Sequence, residues 1–227
     1  MSYTARRINA LADKLSAQRY LEIGVDKGLT FTAIRVTERT AVDPEFRFDT
    51  TPLTNDKTHF HQQPSDQFFA ETTNLAEFDL IFIDGLHHFE QVVRDLSNSL
   101  MHSHAGSVII LDDTKPNDIY SAIPNANDTM RFRRLAGIED FSWHRDVYKI
   151  VVYIHDFWPS LNYRTIVGSG NPQTLVWRSR SFKRKPRLNS FESISRLTYF
   201  QLQDNIDVLR ESDEDLLIDE IVTELKG

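Results

Sequence analysis

The chain has 227 residues, a formal net charge of −7 and no cysteine. That length suffices for one sizeable α/β domain with a small appendage. The missing thiols exclude disulfides, thiolate catalysis and cysteine-ligated zinc or iron–sulfur centres. The acid excess argues against a generally nucleic-acid-binding surface and for other partners.

In chain order, residues 4–18 are predicted as a helix, because Ile8, Leu11, Ala12 and Leu15 fall at helical spacing. This stretch has no apolar signal-peptide core, and no later run approaches the ~18 apolar residues of a membrane span. A cytoplasmic protein without a membrane partner is expected. "RYLEIGV" reads as a buried strand, "GLTFTAIRVT" as the helix after it, and "TAVDP" as a second strand stopped by Pro44. Residues 46–57 are a polar loop, "THFHQQ" a third strand, and "SDQFFAETTN" a short helix opened by Ser65 or Asp66. "FDLIFID" is a continuous apolar run bounded by acids, as in the middle of a parallel sheet. A helix over 88–101 follows, with Phe89, Val92, Val93, Leu96 and Leu100 on one face.

"GSVIILDD" is another buried strand, 114–127 a long loop, and 128–136 helical. "DVYKIVVYIHDFWP" is read as a helix ended before Pro159. "NYRTIV" and "QTLVWRS" form a closing pair of strands around "GSGNP", and 190–226 two helices. Strands alternating with helices predict an α/β domain with a mainly parallel sheet over 1–185 and a helical extension over 186–227. In such sheets ligands sit beyond the carboxyl ends of the strands. One stretch departs from the acidic balance: 178–187, "RSRSFKRKPR", carries six basic residues and no acid, and is read as a solvated connector.

Two constellations carry chemistry. In "LEIGVDKG", Glu22, Gly24 and Gly28 sit at a strand-to-helix turn. This lacks the Gly-x-Gly-x-x-Gly pyrophosphate cradle, and Glu22 would attract a cationic group rather than phosphate. Asp43 ends the next strand, where an acid accepts hydrogen bonds from ribose hydroxyls. A ribose with a cationic part and no pyrophosphate describes S-adenosylmethionine (SAM). The plainer alternative is an ordinary glycine turn and an Asp-Pro strand exit. Secondly, Asp84 ends "FDLIFID", and Asp112 and Asp113 end "GSVIILDD". Three converging carboxylates repel one another, and a hard divalent cation such as Mg²⁺ relieves that. The alternative is that these acids are helix caps. His87, three residues past Asp84, is a candidate base toward a substrate hydroxyl, favoured over His88. The pairs His59/His61 and His102/His104 are read as surface features.

"YLEIGVDKGLTF", "VDP", "FDLIFIDGLHHFEQVVRDL" and "GSVIILDD" resemble class I SAM-dependent methyltransferases, and within them the small bacterial group of macrocin- and mycinamicin-type O-methyltransferases. The resemblance covers roughly 18–180. It implies a doubly wound, Rossmann-like sheet of seven strands whose last strand is antiparallel. It implies that Glu22, Gly24 and Gly28 hold the methionine end of the cofactor, that Asp43 holds the ribose, and that Ser65 and Asp66 lie near the adenine. Asp84, Asp112 and Asp113 match the metal acids of the metal-dependent members, and His87 the base. The expected activity is O-methylation of a small molecule or sugar. A metal-independent methyltransferase, or a cofactor-binding regulator without turnover, are the alternatives. The apolar positions Leu217, Ile221 and Leu225 of the last helix suit packing on the domain or in a homo-oligomer.

Overall fold

The computed structural model describes residues 2–72, 75–179 and 184–227. Seven strands form one sheet: β1 (Arg19–Ile23), β2 (Glu38–Asp43), β3 (Thr58–Gln62), β4 (Phe78–Ile83), β5 (Ser103–Leu111), β6 (Leu161–Ile166) and β7 (Gln173–Arg178). Their order is β3-β2-β1-β4-β5-β7-β6. The first five are parallel, and β7 runs antiparallel to both β5 and β6. This is the doubly wound, Rossmann-like arrangement expected from the sequence, with the closing antiparallel strand in place.

Helices cover both faces: α1 (Tyr3–Leu15), α2 (Ser65–Glu71), α3 (Phe89–Met101), α4 (Ala126–Ala136), α5 (Lys149–Phe157), α6 (Phe191–Ser195), α7 (Tyr199–Asp204) and α8 (Glu214–Lys226). Alternation along the strands divides the core in two. Leu21, Ile23, Ile81, Ile83, Ile109 and Leu111 pack with α3, α5 and the first tail helices. Tyr20, Leu80, Phe82, Val108 and Ile110 pack on the other face with α1 and α8. Leu217 and Ile221 of α8 are fully buried there. No helix among the described residues is long and apolar enough to cross a membrane.

Two elements differ from the sequence reading. "GLTFTAIRVT" is not a helix: only a 3₁₀ turn, Phe31–Ala33, forms. Asn9 of α1 supplies the reason. Its side-chain amide donates to Ala33 O at 2.9 Å, and its oxygen accepts from Arg35 N at 2.9 Å. These are backbone groups that a helix would have used itself. Phe31, Ile34 and Val36 are all buried, so the segment lies flat against α1. The tail is also not two helices. It holds α6, α7, a 3₁₀ turn at Ile206–Leu209 and α8, divided by caps at Thr198 and Asp213.

Of the basic stretch, residues 180–183 lie outside the described residues, as do 73–74 after α2. The described part is tied down locally. Arg178 donates to Leu100 O, Arg184 to Trp158 O and Leu161 O, and Arg187 pairs with Asp207.

Candidate active site

The carboxyl ends of the central strands finish level because their neighbours continue the ladder. Gly24 N donates to Val42 O (2.9 Å), Asp84 N to Ile23 O (2.8 Å) and Asp112 N to Ile83 O (3.0 Å). Gly24, Asp84 and Asp112 thus stand side by side at one edge. An open cleft of about 810 Å³ lies over them. Glu22, Gly24, Asp43, Ser65, Asp84 and His87 line it, and so do Asp112 and Asp113. Two predicted residues stand apart. Gly28 faces the Phe48 ring, and Asp66 points away from the cleft to pair with Arg94 at 3.1 Å.

At the cofactor end, Glu22 is buried and accepts the Tyr20 hydroxyl at 2.6 Å. Burial pushes its carboxyl well up, only partly offset by that hydrogen bond. A cation entering the cleft would favour its charged form. Asp43 accepts from the amides of Val25 (2.6 Å), Asp26 (2.9 Å) and Glu45 (2.8 Å), and so fixes the turn after β1. A carboxylate offers about four acceptor positions, so capacity for hydroxyls remains.

At the other end, His87 sits among the acids. Its Nδ1 lies 2.8 Å from Trp143 O and 3.0 Å from Asp113 Oδ2, and its Nε2 3.5 Å from Asp84 Oδ1. A carbonyl only accepts, so Nδ1 carries a proton and Nε2 is the titrating atom. The ring also stacks on Trp143, with centroids 5.6 Å apart. Burial alone would lower the imidazolium. Hydrogen bonding to Asp84 and the charges of Asp113 and Asp84 outweigh it and lift His87 to about 9. Burial and Asp112 raise Asp113 to about 7, and burial with Asp112 also raises Asp84. Ligand atoms of Asp84, His87 and Asp113 all lie within 4.8 Å of one another. Asp112 stands beside them with Oδ1 accepting from Asp113 N (2.9 Å), Asn171 Nδ2 (2.9 Å) and Gln173 Nε2 (3.2 Å). His88 turns instead to Glu90.

Sequence reasoning missed Asn171, Gln173 and His144. Asn171 Nδ2 donates to Asp113 Oδ1 at 2.5 Å, and buried His144 places Nε2 3.4 Å from the same oxygen. A signal for the first two existed. An antiparallel β7 beside β5 must begin where β5 ends, so its first residues meet the acids.

Residues 21–114 match the sequence profile of a family described as a methyltransferase domain. No curated protein matches the chain by sequence. Among solved structures, the fold is similar to an O-methyltransferase from Bacillus cereus in complex with S-adenosylhomocysteine (SAH). The TM-score is 0.53 at 16% identity, over 78% of this chain and 82% of that one. It is also similar to the SAH-bound methyltransferase PaMTH1 of Podospora anserina. Here the TM-score is 0.56 at 15% identity, over 79% and 80% of the two chains. The chain therefore has the class I methyltransferase fold, and its segment from β1 to the end of β5 carries a methyltransferase domain.

Proposed function

We propose that this protein is a SAM-dependent O-methyltransferase acting on a hydroxyl of a small molecule or sugar, assisted by a divalent cation. One observation carries the reading. A single cleft joins Glu22, Gly24 and Asp43 at one end to His87, Asp84 and Asp113 at the other. The neighbours solved with SAH and the O-methyltransferase among them support it.

When bound, SAM supplies a methyl group on a sulfonium, open to direct displacement. The chain's own residues then have three tasks. Asp43 and Glu22 hold the nucleoside and its cationic end. His87, its ring fixed by the Trp143 carbonyl, presents Nε2 to take a proton from the acceptor hydroxyl. The walls of the cleft align nucleophile and methyl, which dominates the rate of a direct displacement.

The donor set suits a hard cation. Asp84 and Asp113, with Asp112 beside them, crowd three carboxylates into one partly dry place, and Asn171 adds an amide oxygen nearby. Those three acids would hold it, and it would lower the pKa of an acceptor hydroxyl. One observation favours a second reading. His87 already pairs with both Asp84 and Asp113, so the cluster is charge-compensated without a metal. Methyl transfer from SAM to a panel of hydroxylated acceptors, with and without a chelator, separates the two. Activity lost on chelation and restored by Mg²⁺ supports the metal-assisted reading; chelator-insensitive turnover supports the second. If SAH at about 100 times a micromolar dissociation constant fails to stabilise the fold by roughly 2.7 kcal/mol, both are wrong.

A further inference from the structure

Asp95, on α3, is 1% exposed yet lines the cleft. Its Oδ1 is well supplied, accepting from Ser65 Oγ at 2.6 Å and from Gln91 Nε2 at 3.1 Å. Its Oδ2 is buried without a hydrogen-bond partner. Buried polar atoms are nearly always paired, and an orphan carboxylate oxygen asks for a donor. Ser65 and Gln91 hold the carboxyl from α2 and from the preceding turn of α3, so Oδ2 is aimed by construction. It points toward Gly85, where a Cβ would lie only 3.7 Å from it. Gly85 thereby leaves this oxygen accessible from the cleft.

The place of Asp95 identifies the donor, given the nucleoside reading proposed above. If Asp43 at the end of β2 takes the ribose, the base extends across the ends of β3 and β4. Its surroundings there are Pro64, Ser65, Gly85, Leu86 and Gln91. Of the groups on that base, the exocyclic amine alone offers N–H donors at its rim. We infer that Asp95 Oδ2 accepts a hydrogen bond from the 6-amino group of the adenine, and that Asp95 is the residue by which this protein selects a 6-amino over a 6-oxo purine. Ser65 acts through Asp95 as a positioning residue. Asp66, adjacent in sequence, is spent on Arg94 outside.

Calorimetric titration of the full chain tests this. The probes are SAH and its 6-oxo analogue, in which hypoxanthine replaces adenine. Wild type should bind SAH about tenfold or more tightly than the analogue, since the 6-oxo group sets an acceptor against an acceptor. Asp95→Asn can turn its amide toward the base, so it should weaken SAH about tenfold and narrow or invert the preference. Equal affinity of wild type for both probes overturns the inference without needing any variant to fold. So does an Asp95→Asn variant that keeps the wild-type ratio. A wild type that binds neither probe instead removes the cofactor reading, and this inference with it.

Discussion

Gly24 lies directly against the backbone of Asp84: a Cβ on Gly24 would stand 2.0 Å from the Asp84 carbonyl oxygen. The glycine also has φ +85°. The contact joins the ends of β1 and β4, so the cofactor turn and the first acid of the cluster share one backbone joint. Gly24→Ala should therefore destabilise the fold by about 2–4 kcal/mol, since neither partner is a flexible side chain. Urea unfolding of the variant measures it. A loss below about 0.5 kcal/mol would show that the joint yields easily.

His87→Gln keeps a side chain that can hydrogen-bond but removes the titrating Nε2. We expect kcat to fall about 10²- to 10⁴-fold while the dissociation constant of SAH changes less than about threefold. Parallel weakening of both would make His87 a binding residue instead.

Arg7 of α1 is fully buried and pairs with Glu214 of α8 at 2.8 Å; Glu214 also takes Arg6 at 2.8 Å. Breaking a buried pair strands a charge. Glu214→Ala should cost about 3–5 kcal/mol, whereas Arg7→Met combined with Glu214→Leu should cost clearly less. A double-mutant cycle in urea gives the comparison, and additive losses would deny the pair.

Asp95 ties stability to pH. Burial, opposed by hydrogen bonds from Ser65 and Gln91, raises its carboxyl to about 6, and Asp66 and Arg94 face it with opposite signs. The folded state thus binds a proton that the unfolded state releases near pH 4. Between those values the unfolded chain holds fewer protons, so stability falls as pH rises from about 4 to about 6. Asp95→Asn cannot titrate. Its stability relative to wild type should rise across that window, by at most about 3 kcal/mol. A difference independent of pH would show that the folded carboxyl has an ordinary pKa. If the 6-amino contact exists, the same variant would gain stability without ligand and lose cofactor affinity.

The parts legible in the sequence are those set by local pattern. "FDLIFID" and "GSVIILDD" combine a buried run with acids at its exit, so both strands and Asp84, Asp112 and Asp113 could be placed together. "GLTFTAIRVT" was not legible, because Phe31, Ile34 and Val36 are apolar at spacings that also fit a helix. What decides is Asn9, on another element, taking the backbone of Ala33 and Arg35. Asp95 was hidden for a similar reason: on the helix it is one polar residue among several, and only packing against Ser65 exposes its role. Asn171 and Gln173 needed the direction of β7 before they could be seen.

Gln173 stands between opposite charges. Its carbonyl oxygen accepts from the Arg7 guanidinium, and its amide nitrogen donates to Asp112 Oδ1 at 3.2 Å and to Thr4 at 2.9 Å. An amide is the one side chain that can face a cation with one end and an anion with the other while carrying no charge itself. It works as an adaptor, letting the Arg7–Glu214 clasp between the first and last helices steady an acid of the site without adding a charge to it. A glutamate at this position would satisfy Arg7 and repel Asp112. A leucine would leave both without a partner. The clasp that closes the fold and the acid that serves the chemistry are thus adjusted through a single neutral link.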